Sequence, residues 1–182
     1  MNSPADQEIL DLVATATTRD AGYRLLLQTY QEQLYWQIRK MVLNHDDTHD
    51  VLQNVCLKVF KGISKFRGDS KLSSWLFRIA YNESITFLNK KSKQLQVSST
   101  ELQETLVNNL EADVYFTGDQ VQLALQKALA QLPDRQKEIF NLRYYDEIKF
   151  KDIATILDLS EGAVKSSYHI AVKKIQQFIK QD

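Results

Sequence analysis

Cysteine, proline and glycine are all scarce in this chain of 182 residues. Cys56 is the only cysteine, which excludes an internal disulfide and suits a reducing compartment. There are two prolines, Pro4 and Pro133, and five glycines, Gly22, Gly62, Gly68, Gly118 and Gly162. So few turn formers, with little β-branched alternation, exclude a strand-and-turn architecture and leave long periodic segments. No stretch approaches the ~18 uninterrupted apolar residues of a membrane span. The first ten residues lack a basic flank followed by an apolar run, which predicts no secretory leader. A cytoplasmic protein without membrane insertion is expected. Net charge is absent too, with 23 Lys+Arg against 23 Asp+Glu. At 43% hydrophobic and 25% charged, the balance is that of a globular chain and excludes wholesale disorder.

What is present is helical periodicity. The pattern predicts an all-α chain with helices over 6–18, 20–43, 48–63, 71–91, 119–131, 133–145, 149–157 and 161–179. The zero net charge hides a strong segregation. From Cys56 to Lys93 nine Lys/Arg face only Asp69 and Glu83. From Gln96 to Gln131 only Lys127 opposes five acids, and from Ala163 to Gln181 four lysines stand without an acid. Two basic segments therefore flank an acidic one. The polar, weakly periodic stretch 94–118 reads as a flexible acidic linker, with a helical turn around Leu102 to Leu110. It divides the chain into a helical domain, 1–93, and a second, 119–182. A single charge run is usually a solvated helix face, but two in separate modules point towards nucleic acid.

The second module is the more informative. Pro133 suits the first turn of a helix and Asp134 its dipole, while Tyr144 to Glu147 break the period. Ile153, Ile156 and Leu157 then form an apolar stripe, and small Ala154 allows a second helix to pass closely. Leu159 is an apolar turn residue, Ser160 is a good N-cap, and Val164 points back. This is the pattern of a helix-turn-helix, with a plain helical hairpin as the simpler alternative. The second helix would present Ser160, Glu161, Ala163, Lys165, Ser166, Ser167, His169 and Lys173 to a major groove. Asp158 stands where such a turn usually has Gly or Asn at positive φ.

In the first module, Leu72, Leu76, Ile79, Ala80 and Phe87 form a buried stripe, with Trp75, Arg78 and Asn82 on a neighbouring face. Asp69 or Ser70 can cap this helix. The preceding loop, Lys65-Phe66-Arg67-Gly68-Asp69-Ser70-Lys71, combines cations, a ring and a permissive glycine. Cations meet phosphates, a ring stacks on a base and an amide reads a base edge, which suits single-stranded nucleic acid. Trp75 reads as a core anchor instead. In the cluster from Asn44 to Asp50, His45 and His49 could share a metal, but Asp46 or Asp47 as a cap and Asp50 in the first turn explain it better. No metal or other cofactor is expected. There is no glycine-rich phosphate loop, no Ser/His/Asp set in register and no pair of catalytic carboxylates; Cys56, between Val55 and Val59, reads as core.

Two sets of words occur in order. The first is Asp47-Thr48-His49-Asp50-Val51-Leu52-Gln53-Asn54-Val55, followed by Phe66-Arg67-Gly68-Asp69-Ser70-Lys71-Leu72-Ser73-Ser74-Trp75-Leu76-Phe77-Arg78-Ile79-Ala80-Tyr81-Asn82. The second is Leu132-Pro133-Asp134-Arg135-Gln136, then Ile153-Ala154 through Ser160-Glu161-Gly162-Ala163-Val164-Lys165-Ser166. Over residues 20–93 and 120–180 the chain resembles a bacterial sigma factor of the extracytoplasmic-function class, in the sigma-70 family.

That resemblance implies a non-catalytic subunit that directs core RNA polymerase to promoter DNA. The helix with Asp47, Asp50, Gln53 and Asn54 would dock on the polymerase clamp helices. The loop from Lys65 to Lys71, with Arg78 and Asn82, would receive a flipped base of the −10 element. The second module would read the −35 element and touch the polymerase flap, and the linker would thread towards the RNA-exit channel. An anti-sigma partner is frequent in the family. The family often has Arg where this chain has Ser167 and Ile170, so its −35 sequence does not transfer. The rival readings are a stand-alone helix-turn-helix regulator, a metal-dependent hydrolase built on His45 to Asp50, and a helical adaptor for proteins.

Overall fold

The computed structural model describes residues 3–68, 70–110 and 120–181, and every regular element among them is helical. Four helices precede the acidic stretch, α1 (Pro4–Ala14), α2 (Arg19–Val42), α3 (His45–Gly62) and α4 (Leu72–Leu95), and α5 (Ser99–Asn108) lies within it. A single 3-10 turn, Ile63–Lys65, follows α3. The second module holds α6 (Gln120–Ala130), α7 (Asp134–Tyr144), α8 (Phe150–Leu157) and α9 (Glu161–Gln181).

The helix starts differ from the sequence expectation because of capping. Ser3 and Asp6 form a reciprocal box, with Ser3 N donating to Asp6 Oδ2 at 2.8 Å and Asp6 N to Ser3 Oγ at 3.1 Å, so α1 begins at Pro4. It stops at Ala14, where Thr18 Oγ1 donates to Leu12 O at 2.7 Å and draws the chain into a turn. Asn44 caps α3, accepting from Asp47 N at 2.9 Å, so neither Asp46 nor Asp47 is the cap; both lie in the first turn. Ser70 does not cap α4: the N-cap is Lys71, whose side chain makes no capping bond, and Asp69 lies outside the described residues. Pro133 is the N-cap of α7 rather than a first-turn residue.

Part of the stretch 94–118 is helical, as the turn expected around Leu102 to Leu110 implied. Helix α4 runs on to Leu95, and a capping box between Ser98 and Glu101 starts α5. Leu102, Leu106 and Val107 of α5 are buried with Leu43, Leu88 and Ala130. Residues 111–119, including Gly118, lie outside the described residues.

One apolar core spans both modules. Leu26, Leu34, Ile38, Val55, Leu72, Leu76 and Ala80 from the first share a buried cluster with Ile139, Leu142, Ile153, Ile156 and Val164 from the second. Helices α1 and α2 cross closely at Gly22, where an added Cβ would stand 2.8 Å from Val13 Cγ1 and 2.9 Å from its backbone N.

The joint between modules is polar at its centre. Gln37 Nε2 of α2 donates to Phe77 O of α4 at 3.2 Å and to Glu138 Oε1 of α7 at 3.1 Å. Glu138 is fully buried, and among the described residues its other oxygen and the Gln37 amide oxygen find no partner. Burial pushes the Glu138 carboxyl up to about 7, with Asp146 adding to the rise and Gln37, Lys40 and Lys137 opposing it. A carboxyl raised in the folded state favours folding while protonated; that contribution is lost as pH climbs from about 4.5 through about 7. Thermal melts between pH 5 and pH 8 should therefore show a falling melting temperature for the parent chain and a flatter profile for Glu138→Gln. Parallel profiles for the two chains would refute a buried, proton-holding Glu138.

Candidate nucleic-acid interface

The α8–α9 unit is a helix-turn-helix. Ile153, Ile156 and Leu157 are buried, and Val164 of α9 closes the angle at 0% exposure. The turn needs one left-handed residue, and Asp158 supplies it at φ 57°. Leu159 N donates back to Ala154 O at 2.9 Å, and Ser160 Oγ accepts from Ala163 N at 3.2 Å. Val164, Ala171 and Ile175 anchor α9 inward. Ser160, Glu161, Ala163, Lys165, Ser166, His169 and Lys173 are exposed, and Ser167 is half-buried. Lys165 pairs with Glu161 at 2.6 Å. Ile170, one of the two positions where the family often has Arg, is 47% exposed on this outer face, four residues from Ser166.

In the first module, the 3-10 turn and Gly68, at φ 77°, shape the basic loop. Lys65, Arg67 and Gly68 are exposed, while Phe66, Ser70 and Lys71 are half-buried. Phe66 packs on Trp75 at 5.5 Å between ring centroids, and Trp75 backs against Gly62, so both rings are partly core. Arg78 and Asn82 are exposed one helical turn apart on α4.

Asp50, Gln53 and Asn54 are exposed on α3 and, with Asp47, line a shallow cleft of about 430 Å³ facing Phe87, Lys90, Lys91 and Gln94 of α4. Asp47 is ion-paired with Lys91 across it. Leu57, one turn beyond Asn54, is an apolar side chain left 58% exposed that the polar motif had hidden. His45 Nδ1 is engaged by Tyr35 Oη at 2.8 Å, and its ring lies 4.6 Å from that of His49. No cluster of three or more His, Cys, Asp or Glu side chains arranged for a metal occurs among the described residues. Cys56 is half-buried, and burial pushes its thiol up, away from the reactive thiolate.

The fold also brings cations of the first module into contact with acids of the second. Asp152 of α8 meets Lys71 at 2.6 Å, Asp158 of the turn meets Arg78 at 3.6 Å, and Asp146 meets Lys40 at 2.5 Å. The Arg135 guanidinium lies over the Tyr81 ring at 5.5 Å. No described helix is long and apolar enough to cross a membrane.

Residues 26–94 match the family model of sigma-70 region 2, and residues 122–175 that of sigma-70 region 4. The RNA polymerase sigma factor SigV of Bacillus subtilis is 30% identical over 154 residues, covering 84% of this chain and 89% of the relative. The ECF RNA polymerase sigma factor SigW of the same organism is 28% identical over 153 residues, 79% of this chain and 81% of its own. The RNA polymerase sigma-H factor of Pseudomonas aeruginosa is 24% identical over 169 residues, 88% and 86% respectively. Two solved structures share the fold. CnrH in complex with the cytosolic domain of CnrY has a TM-score of 0.72 at 19% identity, covering 98% of this chain and 99% of that one. The sigma factor RpoE in complex with the anti-sigma factor NepR from Bartonella quintana has 0.66 at 21%, covering 88% and 98%. With region 2 and region 4 in order on one helical chain, and a helix-turn-helix closing the second, this protein belongs to the sigma-70 family as an RNA polymerase sigma factor of the extracytoplasmic-function class.

Proposed function

We propose a division of labour in which each basic surface of this sigma factor handles a different part of the promoter. Residues 1–93 dock on the polymerase clamp helices through the α3 face of Asp47, Asp50, Gln53 and Asn54, with Leu57 as its apolar end. The loop from Lys65 to Lys71, with Arg78 and Asn82, receives an extruded base of the −10 element. Residues 119–182 read the −35 element through α9 and touch the flap, and residues 94–118 join the two. The observation that carries this reading is the exposed Asn82 amide one turn from Arg78, on the helix that follows a cationic loop, in a chain that also holds a helix-turn-helix. Extruding a base costs on the order of a few kcal/mol, and a pocket accepting one base turns that cost into selectivity. Phosphate contacts supply affinity and base contacts supply choice.

The chain supplies recognition and strand separation, not bond chemistry: its sequence offers no nucleophile with a base and no pair of catalytic carboxylates. It works in the cytoplasm, where its polymerase is. An anti-sigma protein is the natural antagonist, since both similar solved structures are complexes, one of them named as holding an anti-sigma factor. A stand-alone regulator is disfavoured by the pairing of Lys71 and Arg78 with carboxylates of α8 and its turn, which leaves the free chain poorly equipped for a polyanion.

Reconstituted with core polymerase, the parent chain should direct a specific start on a cognate promoter. Asn82→Ala should slow strand opening about tenfold, the scale of one lost base contact, while co-purification with the core stays intact. Asp50→Arg should do the reverse, weakening the pull-down because it inverts a charge on the docking face. Equal loss of both functions in either variant would sink the assigned roles. Replacing Asp152 and Asp158 together by Asn takes the net charge from zero to plus two and frees Lys71 and Arg78. The polymerase-free variant should bind a single-stranded oligonucleotide several-fold more tightly than the parent at low salt. Unchanged binding would mean that those carboxylates do not compete with phosphate.

A further inference from the structure

The contact between Gln37 and Glu138 joins α2 to α7, and with them the first module to the second. Both side chains are buried, at 2% and 0% exposure. The Gln37 amide nitrogen uses both of its hydrogens, one on Phe77 O at 3.2 Å and one on Glu138 Oε1 at 3.1 Å. A backbone carbonyl can only accept, so Phe77 O fixes which end of the amide is nitrogen. What is left of the pair is two oxygens, Gln37 Oε1 and Glu138 Oε2, each buried without a partner among the described residues. Two orphan acceptors, one on each member of a bonded pair, lack a single donor between them. The neighbouring cations do not supply it. The Lys40 ammonium meets Asp146 Oδ1 at 2.5 Å, and the Lys137 ammonium lies 3.8 Å from Asp134.

We propose that the module joint is a proton-dependent latch: one proton on Glu138 Oε2 completes a reciprocal acid–amide pair with Gln37, and its loss favours parting of the modules. The acid O–H donates to Gln37 Oε1 while Gln37 Nε2 donates to Glu138 Oε1, so one hydrogen satisfies both orphan oxygens. The titratable groups around Glu138 are Lys40 of α2, Tyr81 of α4, Lys137 of α7 itself and Asp146 just beyond α7. Burial keeps the Tyr81 phenol neutral. The two ammoniums oppose a proton on Glu138, Asp146 favours it, and burial outweighs them, lifting the carboxyl to about 7. Once the modules part, water reaches the carboxyl and restores its ordinary acidity. Parting therefore releases a proton, and the closed chain, favoured in acid, loses that advantage as pH climbs through about 7. In the closed chain Asp152 and Asp158 cover Lys71 and Arg78, so the same proton governs the exposure of two distant cations. The latch is independent of which base or polymerase surface each module takes.

Single-molecule energy transfer on the full chain tests the latch. One dye is placed on α1 through Asp11→Cys and one on α9 through Lys180→Cys, both exposed positions, in a Cys56→Ser background. Urea is fixed at a concentration where closed and parted chains are both seen at pH 7.5. The parted-to-closed ratio should fall about tenfold on going to pH 5.5. In Glu138→Gln the amide supplies the missing hydrogen at every pH, so the ratio should stay low and flat. Independently of any variant at Glu138, its carboxyl carbon resonance in the carbon-13-labelled parent should titrate well above the ordinary carboxylate range. A carboxyl that titrates within that range would overturn the proposal. So would an equal pH response in parent and variant, or a chain that shows no parted population short of unfolding. A pH-dependent melting temperature with an unmoved energy-transfer ratio would make Glu138 a stabilising residue only, and the latch would be wrong.

Discussion

In the folded chain, cations of the first module are satisfied by carboxylates of the second. Asp152 on Lys71 and Asp158 on Arg78 are two such contacts. They lie where α8 and its turn face α4. Neither pair is buried on both sides, and half-exposed bridges contribute on the order of 0–1 kcal/mol each. They set the register of α8 against α4 more than they hold it there. The holding comes from the apolar residues that α7 and α8 add to the first module's core, among them Ile139, Leu142, Ile153 and Ile156.

That apolar contact is offset by the polar centre of the joint. The outer oxygen of Glu138, the Gln37 amide oxygen and both amide atoms of Asn141 are buried without a partner among the described residues. A buried polar atom left unpaired costs on the order of 1–3 kcal/mol, and water would satisfy it if the modules parted. The same interface thus combines a strong apolar attraction with a standing penalty that separation relieves. A partner need supply only the difference, since a ligand shifts a two-state balance by its differential affinity and no more.

The parts of this architecture that were legible in the sequence are those fixed by short-range signals. The stripe Ile153, Ile156 and Leu157, the cap at Ser160 and the inward Val164 specify the helix-turn-helix locally, and they appear as expected. Asp158 takes the left-handed turn position where Gly or Asn is usual, a conformation that Asp, like Asn, visits more readily than most residues. The loop and the exposure of Asn82 were equally readable. What was hidden depends on tertiary partners. Gln37 and Glu138 are polar residues on helices of weak amphipathicity, and nothing near them in sequence announces burial. Helix α5 was concealed by its acids: Glu101 serves the capping box and Glu104 accepts from Gln131 at 3.0 Å, while Leu102, Leu106 and Val107 form too short a stripe to stand out. The position of Asn44 as cap was masked by two aspartates that look like better candidates.

The separation of affinity from choice follows from where the free charge lies. On α9, Lys165 is occupied by Glu161 and Lys174 donates to Gln136, so much of its cationic complement is already committed, and the outer face offers Ser166, His169 and Ile170 as its distinctive groups. Such a surface is better suited to base edges than to bulk phosphate attraction. Lys90 and Lys93 of α4 have no ion pair with a carboxylate among the described residues. A protein of zero net charge gains little from long-range attraction to DNA. Its phosphate contacts can then act only after a larger assembly has brought the duplex within a Debye length, about 8–10 Å at moderate salt.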